Sequence, residues 1–462
     1  MERIEFWEEE LRGSEVYDKR AKTSLSRICA AIEEKSGQSF SSACAGSLRQ
    51  NGGRLFADAK TTSELLQHGH YEQTALRCSA KEVVVAQDTT ELNYTSQKAK
   101  TGLGQIGSTR FCRGVLTHTA LAVERDGLPL GIIGQKSWVR RDSEFGKKKR
   151  RNQTPIADKE SHKWIDGLRW AERLSERATK VIVVGDREGD VYEFLSAPRR
   201  ANVSLIVRAA QRRRVTTYRS ANDPQQNAHE QVFSAMKSAR TLGTRTIELE
   251  REKFSERVAL VVRVCEAQVH RSGRFGAKSA LPKTIPIWIV QAEESSATPV
   301  KNRERISWTL LCTERTETEA EAFRRLDDYT LRWRVERFHY TLKQGLKVEA
   351  LQFDDAQTLM NAVAVYSLVA WRLMFITYYA RLYPTHPSSA ILASDEHRAL
   401  SAKAKQSVDT VGHAVLEIAK LGGYRKSNSP PGLKVVWQGL YALQFLTDGF
   451  SLALSQKDTR QD

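Results

Sequence analysis

Apolar residues change their spacing several times along the chain, and each change predicts a different element. Up to about residue 75 they recur at helical intervals in a polar background: "SLSRICAAIEEK" predicts a helix, "SGQSFSSACAGSLRQNGGRLF" breaks with Ser and Gly, and "TTSELLQHG" begins a further short helix. From about 81 the pattern becomes that of strands. "EVVVAQDTTELNY" is a β-branched run, "GVLTHTALAVERDG" and "PLGIIGQKSWVR" alternate, and the "RDG" between them signals a hairpin turn.

Residues 159–178 then predict a helix, "KVIVVGDREGDVYEFLSA" a strand running into a loop and a second helix, and "SLIVRA" another strand. Three antiparallel strands, a helix, a parallel strand, a helix and a strand form the order expected of a ribonuclease H-like α/β core. "TRTIELE", "RVALVVRVCEAQVH", "IPIWIVQAE" and "RISWTLLCTE" predict a β-rich insertion at about 215–305. Beyond about 355, "LMNAVAVYSLVAWRLMFITYYARL" is apolar nearly all round and predicts a buried helix, and the remainder is helical with a Pro-rich break at "SNSPPG". The expected division is a helical domain at 1–75, the α/β core at 76–375 and a helical domain at 376–462.

Charge adds a partner to this picture. Lys and Arg outnumber Asp and Glu by 72 to 55 in 462 residues, a net charge of +17, which favours a polyanion such as nucleic acid. No apolar run is expected to approach the roughly 18 to 20 residues of a transmembrane helix, and the acidic start "MERIEFWEEELRG" lacks the apolar core of a signal peptide. A cytoplasmic, nucleoid-associated protein with no membrane partner is therefore expected. The six cysteines form no CxxC pair and no zinc-finger spacing, so they read as reduced packing residues.

Within "YTLRWRVERFHYTLK", residues 329–343, one carboxylate stands among several cations. On a single α-helix at about 100° per residue, Tyr329, Arg332, Glu336 and Lys343 fall near 0°, 300°, 340° and 320°, one narrow stripe beside an apolar face of Leu331, Val335, Phe338, Leu342 and Leu346. Two further acids sit at ends of apolar strands: Asp88 in "VVVAQDTT" and Asp186 in "VIVVGDRE". An aspartate in such a place is commonly a cap. Asp190, just before "VYEFL", fits an N-cap, and Glu188 reads as exposed. Adjacent strand ends and a helix packed across them can gather carboxylates around two divalent cations about 3.5 to 4 Å apart, a geometry suited to phosphodiester chemistry. Hard carboxylates without clustered His or Cys favour Mg2+ or Mn2+ over zinc.

The "QDTT" around Asp88, the "DREGD" at Asp186 and the full Y-x2-R-x3-E-x6-K spacing of Tyr329, Arg332, Glu336 and Lys343 resemble the insertion-sequence-four family of bacterial cut-and-paste DDE transposases. "SWTLL" at Trp308 and "IAKLGGY" from 418 extend the resemblance over most of the chain from about 80 onward. The resemblance implies a ribonuclease H-like catalytic core with a β-rich insertion, an N-terminal helical DNA-binding domain and a C-terminal helical dimerisation domain. It implies cleavage at transposon ends, a hairpin intermediate and strand transfer into target DNA by a homodimer in a synaptic complex. Asp88, Asp186 and Glu336 would be catalytic metal ligands, with two Mg2+ or Mn2+ ions per site. Tyr329, Arg332 and Lys343 would hold phosphates, Trp308 would stack on a flipped nucleotide, and Arg208 would lie near the active site.

Position 340 is Tyr where the family carries a second DNA-contacting lysine, and "YDKRAKTSLSRI" follows the family's Asp-x-Arg-Arg pattern only at Asp18 and Arg20, the later arginine position falling on Ser24. Lys19, Arg20, Lys22 and Arg54 are the expected DNA contacts of the N-terminal domain. The "KKKRR" run at 147–151 is a solvated loop that adds salt-sensitive affinity. A nuclease on the same core without strand transfer, and a non-catalytic binder of transposon ends, remain open alternatives.

Overall fold

The computed structural model describes residues 3–16, 18–107, 109, 111–141, 154–217, 228–250, 255–276, 279–295, 304–425 and 429–458. Its helices are α1 (Arg3–Glu10), α2 (Lys19–Glu34), α3 (Phe40–Ala43), α4 (Gly46–Ala57), α5 (Ser63–Arg77), α6 (Lys163–Leu174), α7 (Tyr192–Leu195), α8 (Val232–Ala235), α9 (Glu319–Thr330), α10 (Trp333–Tyr340), α11 (Ala356–Leu382), α12 (Ser394–Ala404), α13 (Val411–Leu421) and α14 (Leu433–Asp458). Its strands are β1 (Glu82–Asn93), β2 (Gly104–Gln105), β3 (Arg113–Glu124), β4 (Pro129–Trp138), β5 (Lys180–Gly185), β6 (Val203–Arg208), β7 (Arg214–Thr217), β8 (Ala228–Gln231), β9 (Arg240–Glu250), β10 (Ser255–His270), β11 (Thr284–Glu294) and β12 (Ser307–Cys312). The fold class is mixed α/β. One compact unit comprises Met1–Ser79, Thr89–Phe145 and Arg334–Asp462, and the other Ala80–Asp88 and Gly146–Trp333, so the division falls inside β1 and at the start of α10.

In the first unit the helices gather on α11, whose side chains are buried around almost its whole circumference. By length and composition α11 is apolar enough to cross a membrane, with a mean hydropathy of 1.6 over its best window, and 89% of that window is buried inside the fold. This corrects the expectation that no run reaches membrane-span length. Each fully buried Leu, Val or Ile there contributes roughly 1.5 to 3 kcal/mol. Charges enter this core only in partnership: the Arg372 guanidinium lies 3.9 Å from the Phe6 ring centroid, and Arg77 donates twice to Glu10 at 2.8 Å. Asp18 caps α2 by accepting from Ala21 N at 2.6 Å.

The stretch expected to break with Ser and Gly instead contains α4. Within it Gly52 serves close approach, since a Cβ there would come within 2.6 Å of Phe40 Cζ. The β3–β4 hairpin forms as expected, with Gly127 at φ 99° in the turn. The end of β1 runs against β3, where Tyr94 N donates to Arg113 O at 2.9 Å.

In the second unit the start of β1 pairs in parallel with β5, from Glu82 opposite Lys180 to Ala86 opposite Val184, and β5 pairs in parallel with β6. β12 joins β6 antiparallel and is followed by β11 and β10, with β7 and β9 both on β10 and β8 on β7. The start of β1, β5 and most of β6 are rich in Val, Ile and Leu because those residues are buried.

Candidate functional site

The parallel strands of the second unit bring three sequence-predicted residues into one row. Continuing the β1–β5 register by two residues sets Asp88 opposite Asp186, and continuing the β5–β6 register from Gly185 and Val207 by one sets Asp186 opposite Arg208. Neighbouring strands stand about 4.8 Å apart, so the backbone positions of Asp88, inside β1, and Asp186, just past the end of β5, lie on adjacent strand paths. Both aspartates are half-buried. Asp186 also caps the short turn after β5, its Oδ1 accepting from Glu188 N at 2.8 Å.

A cationic and aromatic wall accompanies this row. Arg208 donates to Ser307 O at 3.0 Å, which ties the end of β6 to the start of β12. Trp308, the next residue, is half-buried, and its ring meets that of Tyr329 edge to face with centroids 6.0 Å apart. Burial raises the Tyr329 phenol above its usual pKa, while the guanidinium groups of Arg332 and Arg208 pull it down and Asp186 pushes it up. The Tyr329 hydroxyl is buried close to those guanidinium groups. Burial lowers the Arg208 pKa; Tyr329 opposes that shift, and Arg187 and Arg332 reinforce it. The Arg332 guanidinium lies 5.9 Å from the Tyr329 ring centroid and 5.0 Å from that of Trp333.

The single helical stripe expected for Tyr329, Arg332, Glu336 and Lys343 is not what forms. Tyr329 lies in α9, Arg332 in the turn after it, Glu336 in α10, and Lys343 in a π-helical turn at Thr341–Gly345. The chain leaves the 100° periodicity twice, so the projected angles do not carry across it. The apolar face does form: Leu331, Val335, Phe338, Leu342 and Leu346 are all buried. In the first unit Glu336 is half-buried, and Lys343 donates to Glu91 O at 2.8 Å and stands 3.5 Å from Glu349.

Asp190 is not the N-cap expected of it; Val191 occupies that position. The buried Asp190 carboxylate accepts from Ala210 N at 2.8 Å, Gln211 N at 2.6 Å and Arg213 Nε at 2.6 Å. Those bonds reach the loop after β6, a tertiary partnership that local spacing does not reveal. Glu188 is exposed and pairs with Lys163 at 3.1 Å. Sequence reasoning passed over Arg187, whose charge acts on Arg208; its place beside Asp186 in "DREGD" was the available signal.

Among the described residues no group of three or more His, Cys, Asp or Glu side chains is gathered closely enough to hold a metal ion. The donor set available in the second unit is thus the Asp88 and Asp186 pair, all oxygen, which fits a hard cation that completes its shell with water and phosphate oxygens. Lys19, Arg20 and Arg54 are exposed, while Lys22 reaches back to Arg12 O. Tyr340 packs on Trp437 of α14 with ring centroids 5.9 Å apart. The "KKKRR" run at 147–151 lies outside the described residues. All six cysteines are free thiols.

No protein-family model matches the chain. Among solved structures it is similar to a piggyBac transposase in a synaptic complex with hairpin DNA, studied by cryo-EM, at 9% sequence identity and a TM-score of 0.34. The match covers 87% of this chain and 59% of that one, so the chain spans about three fifths of that transposase's length.

Proposed function

We propose that the chain is a metal-dependent DNA transposase of the cut-and-paste type on a ribonuclease H-like core. The observation that supports this reading is the parallel β1–β5–β6 register, which, continued past its last pairs, aligns Asp88, Asp186 and Arg208, with Tyr329, Arg332 and Trp308 in the same unit. Two magnesium or manganese ions would supply an activated water or 3′-hydroxyl and a stabilised leaving oxygen. Asp88 and Asp186 hold the cations, and Glu336, chosen on its spacing in the signature, is the third acid. Arg208, Arg332 and Lys343 neutralise phosphate oxygens and fix the scissile bond in line. Trp308 offers a half-exposed ring on which an extruded base stacks while the strand folds into a hairpin.

In the same reading the helices of residues 1–75 bind transposon ends through Lys19 and Arg20. The exposed apolar residues Phe445, Leu452 and Leu454 of α14 serve the pairing of two subunits. The net charge of +17 supports contact with transposon-end and target DNA in the cytoplasm, at the nucleoid.

The test is incubation of the purified chain with Mg2+ and a plasmid carrying the sequences that flank its own gene. Excised fragments with hairpin ends, followed by joined products, are expected. Broken ends without joining would reduce the protein to a nuclease, and absence of cleavage with both Mg2+ and Mn2+ would overturn the reading.

A further inference from the structure

A second concave site lies in the first unit, between the segment that follows β1 and the turns that follow α10. It is a pocket of about 920 Å³ bordered by Ser96, Lys343, Gln344 and Lys347. Its walls are fastened to each other. Asn93 N donates to Glu349 Oε1, Gln97 Nε2 to Glu349 O, and Tyr94 OH to Val348 O, each at 2.8 Å.

The pocket carries a surplus positive charge. Its one acid, Glu349, is engaged by Asn93 N and stands 3.5 Å from Lys343, which leaves Lys347 uncompensated. Lys347 is exposed, and its ammonium has no hydrogen-bond or ion-pair partner among the described residues. It adopts the left-handed conformation, φ 50° and ψ 41°, which Gly or Asn adopts at less cost. Neither packing nor a bond of its own accounts for a lysine there. Lys347, Gln344 and Ser96 border the same pocket of about 920 Å³, a volume larger than one phosphate group needs.

We infer that this pocket holds the phosphodiester backbone of a nucleic-acid strand, with Lys347 as its electrostatic contact and Gln344 and Ser96 as hydrogen-bond donors. The inference rests on the nucleic-acid reading above but not on the carboxylate chemistry. It adds to the signature residue Lys343 a contact surface the signature does not contain.

The structure supplies its own control. Lys405, at φ 56° after α12, is the same residue in the same backbone conformation outside the pocket. The full-length protein and its Lys347→Gly and Lys405→Gly variants are compared by fluorescence anisotropy on a labelled 30-base-pair duplex, without divalent metal, from 50 to 200 mM salt. Glycine relaxes the left-handed position, so both variants should fold with equal or higher Tm. Lys347→Gly is expected to weaken binding about fivefold to tenfold near 0.1 M salt and to shrink the salt slope by about one, the worth of one phosphate contact. Lys405→Gly should bind as the parent does. Equal affinities for the two variants, or absence of binding by the parent, would overturn the inference. So would displacement of the duplex by inorganic phosphate beyond that of a chloride salt at equal ionic strength, which would mark a free-anion site. Cleavage of plasmid DNA by the parent is read separately. Cleavage with no Lys347 effect sinks the pocket alone, and a Lys347 effect without cleavage sinks the transposase reading alone.

Discussion

Asp88, inside β1, and Asp186, the first residue after β5, both lie two residues past the paired Ala86 and Val184. An all-oxygen pair of this kind suits a hard divalent cation. Asp88→Ala and Asp186→Ala should each lower metal-dependent DNA cleavage by about a thousandfold or more, the worth of several kcal/mol of lost charge stabilisation. Duplex binding measured in EDTA should survive in both. Cleavage persisting in either variant would remove that aspartate from the reaction.

The edge-to-face contact of Trp308 with Tyr329 leaves the tryptophan half-exposed. Trp308→Ala should weaken capture of an unpaired base by about 1 to 3 kcal/mol, and Trp308→Phe should retain part of it. A 2-aminopurine placed near the cleaved end reports this: its quenching should fade in the alanine variant. Unchanged quenching would make the ring a packing residue.

Asp190 joins two backbone amides to Arg213 from inside the second unit. Asp190→Ala leaves the Arg213 guanidinium without its carboxylate while its bond to the residue 190 carbonyl persists, at a cost of about 3 kcal/mol. Hydrogen exchange at residues 209–213 should accelerate strongly, whereas metal binding at the Asp88 and Asp186 pair should hold. Unaltered exchange would show that the loop is fixed by other contacts.

Acid should destabilise the first unit in two steps. Burial, and then the charge of Lys343, push the His339 imidazole down to about 3. Its folded pKa is depressed, so its contribution is complete above the unfolded value near 6.5 and is lost as pH falls, about 2 kcal/mol between pH 7 and pH 5. Glu10 is held at about 2; burial opposes that shift, and hydrogen bonds and charge from His70 and Arg77 outweigh it. Its contribution is present above about 4.5 and disappears toward about 2. Thermal midpoints recorded from pH 7 to pH 3 should fall throughout, and Glu10→Gln should flatten the lower step only. A Glu10→Gln profile parallel to that of the parent would dissociate Glu10 from the acid response.

Local pattern carried much of this protein. Three β-branched runs predicted β1, β5 and β6, the "RDG" turn predicted the β3–β4 hairpin, and an all-round apolar stretch predicted α11, because those patterns follow from strand and helix periods and from burial on every side. Net charge and the place of Asp186 at the end of β5 were equally legible, whereas β1 runs on past Asp88 to Asn93 and the expectation that Asp88 ends its strand is corrected. Tertiary structure decided the rest. Which strand lies beside which, and hence that Asp88, Asp186 and Arg208 align, depends on pairing between segments about a hundred residues apart for β1 and β5 and about twenty for β5 and β6. Whether Asp190 caps a helix or braces a loop, whether Gly52 breaks α4 or admits Phe40, and where the signature helix turns after Thr330 and Tyr340 are set by neighbours from other elements. A residue's periodicity is written in its immediate sequence, but its partners are chosen by how the whole chain packs.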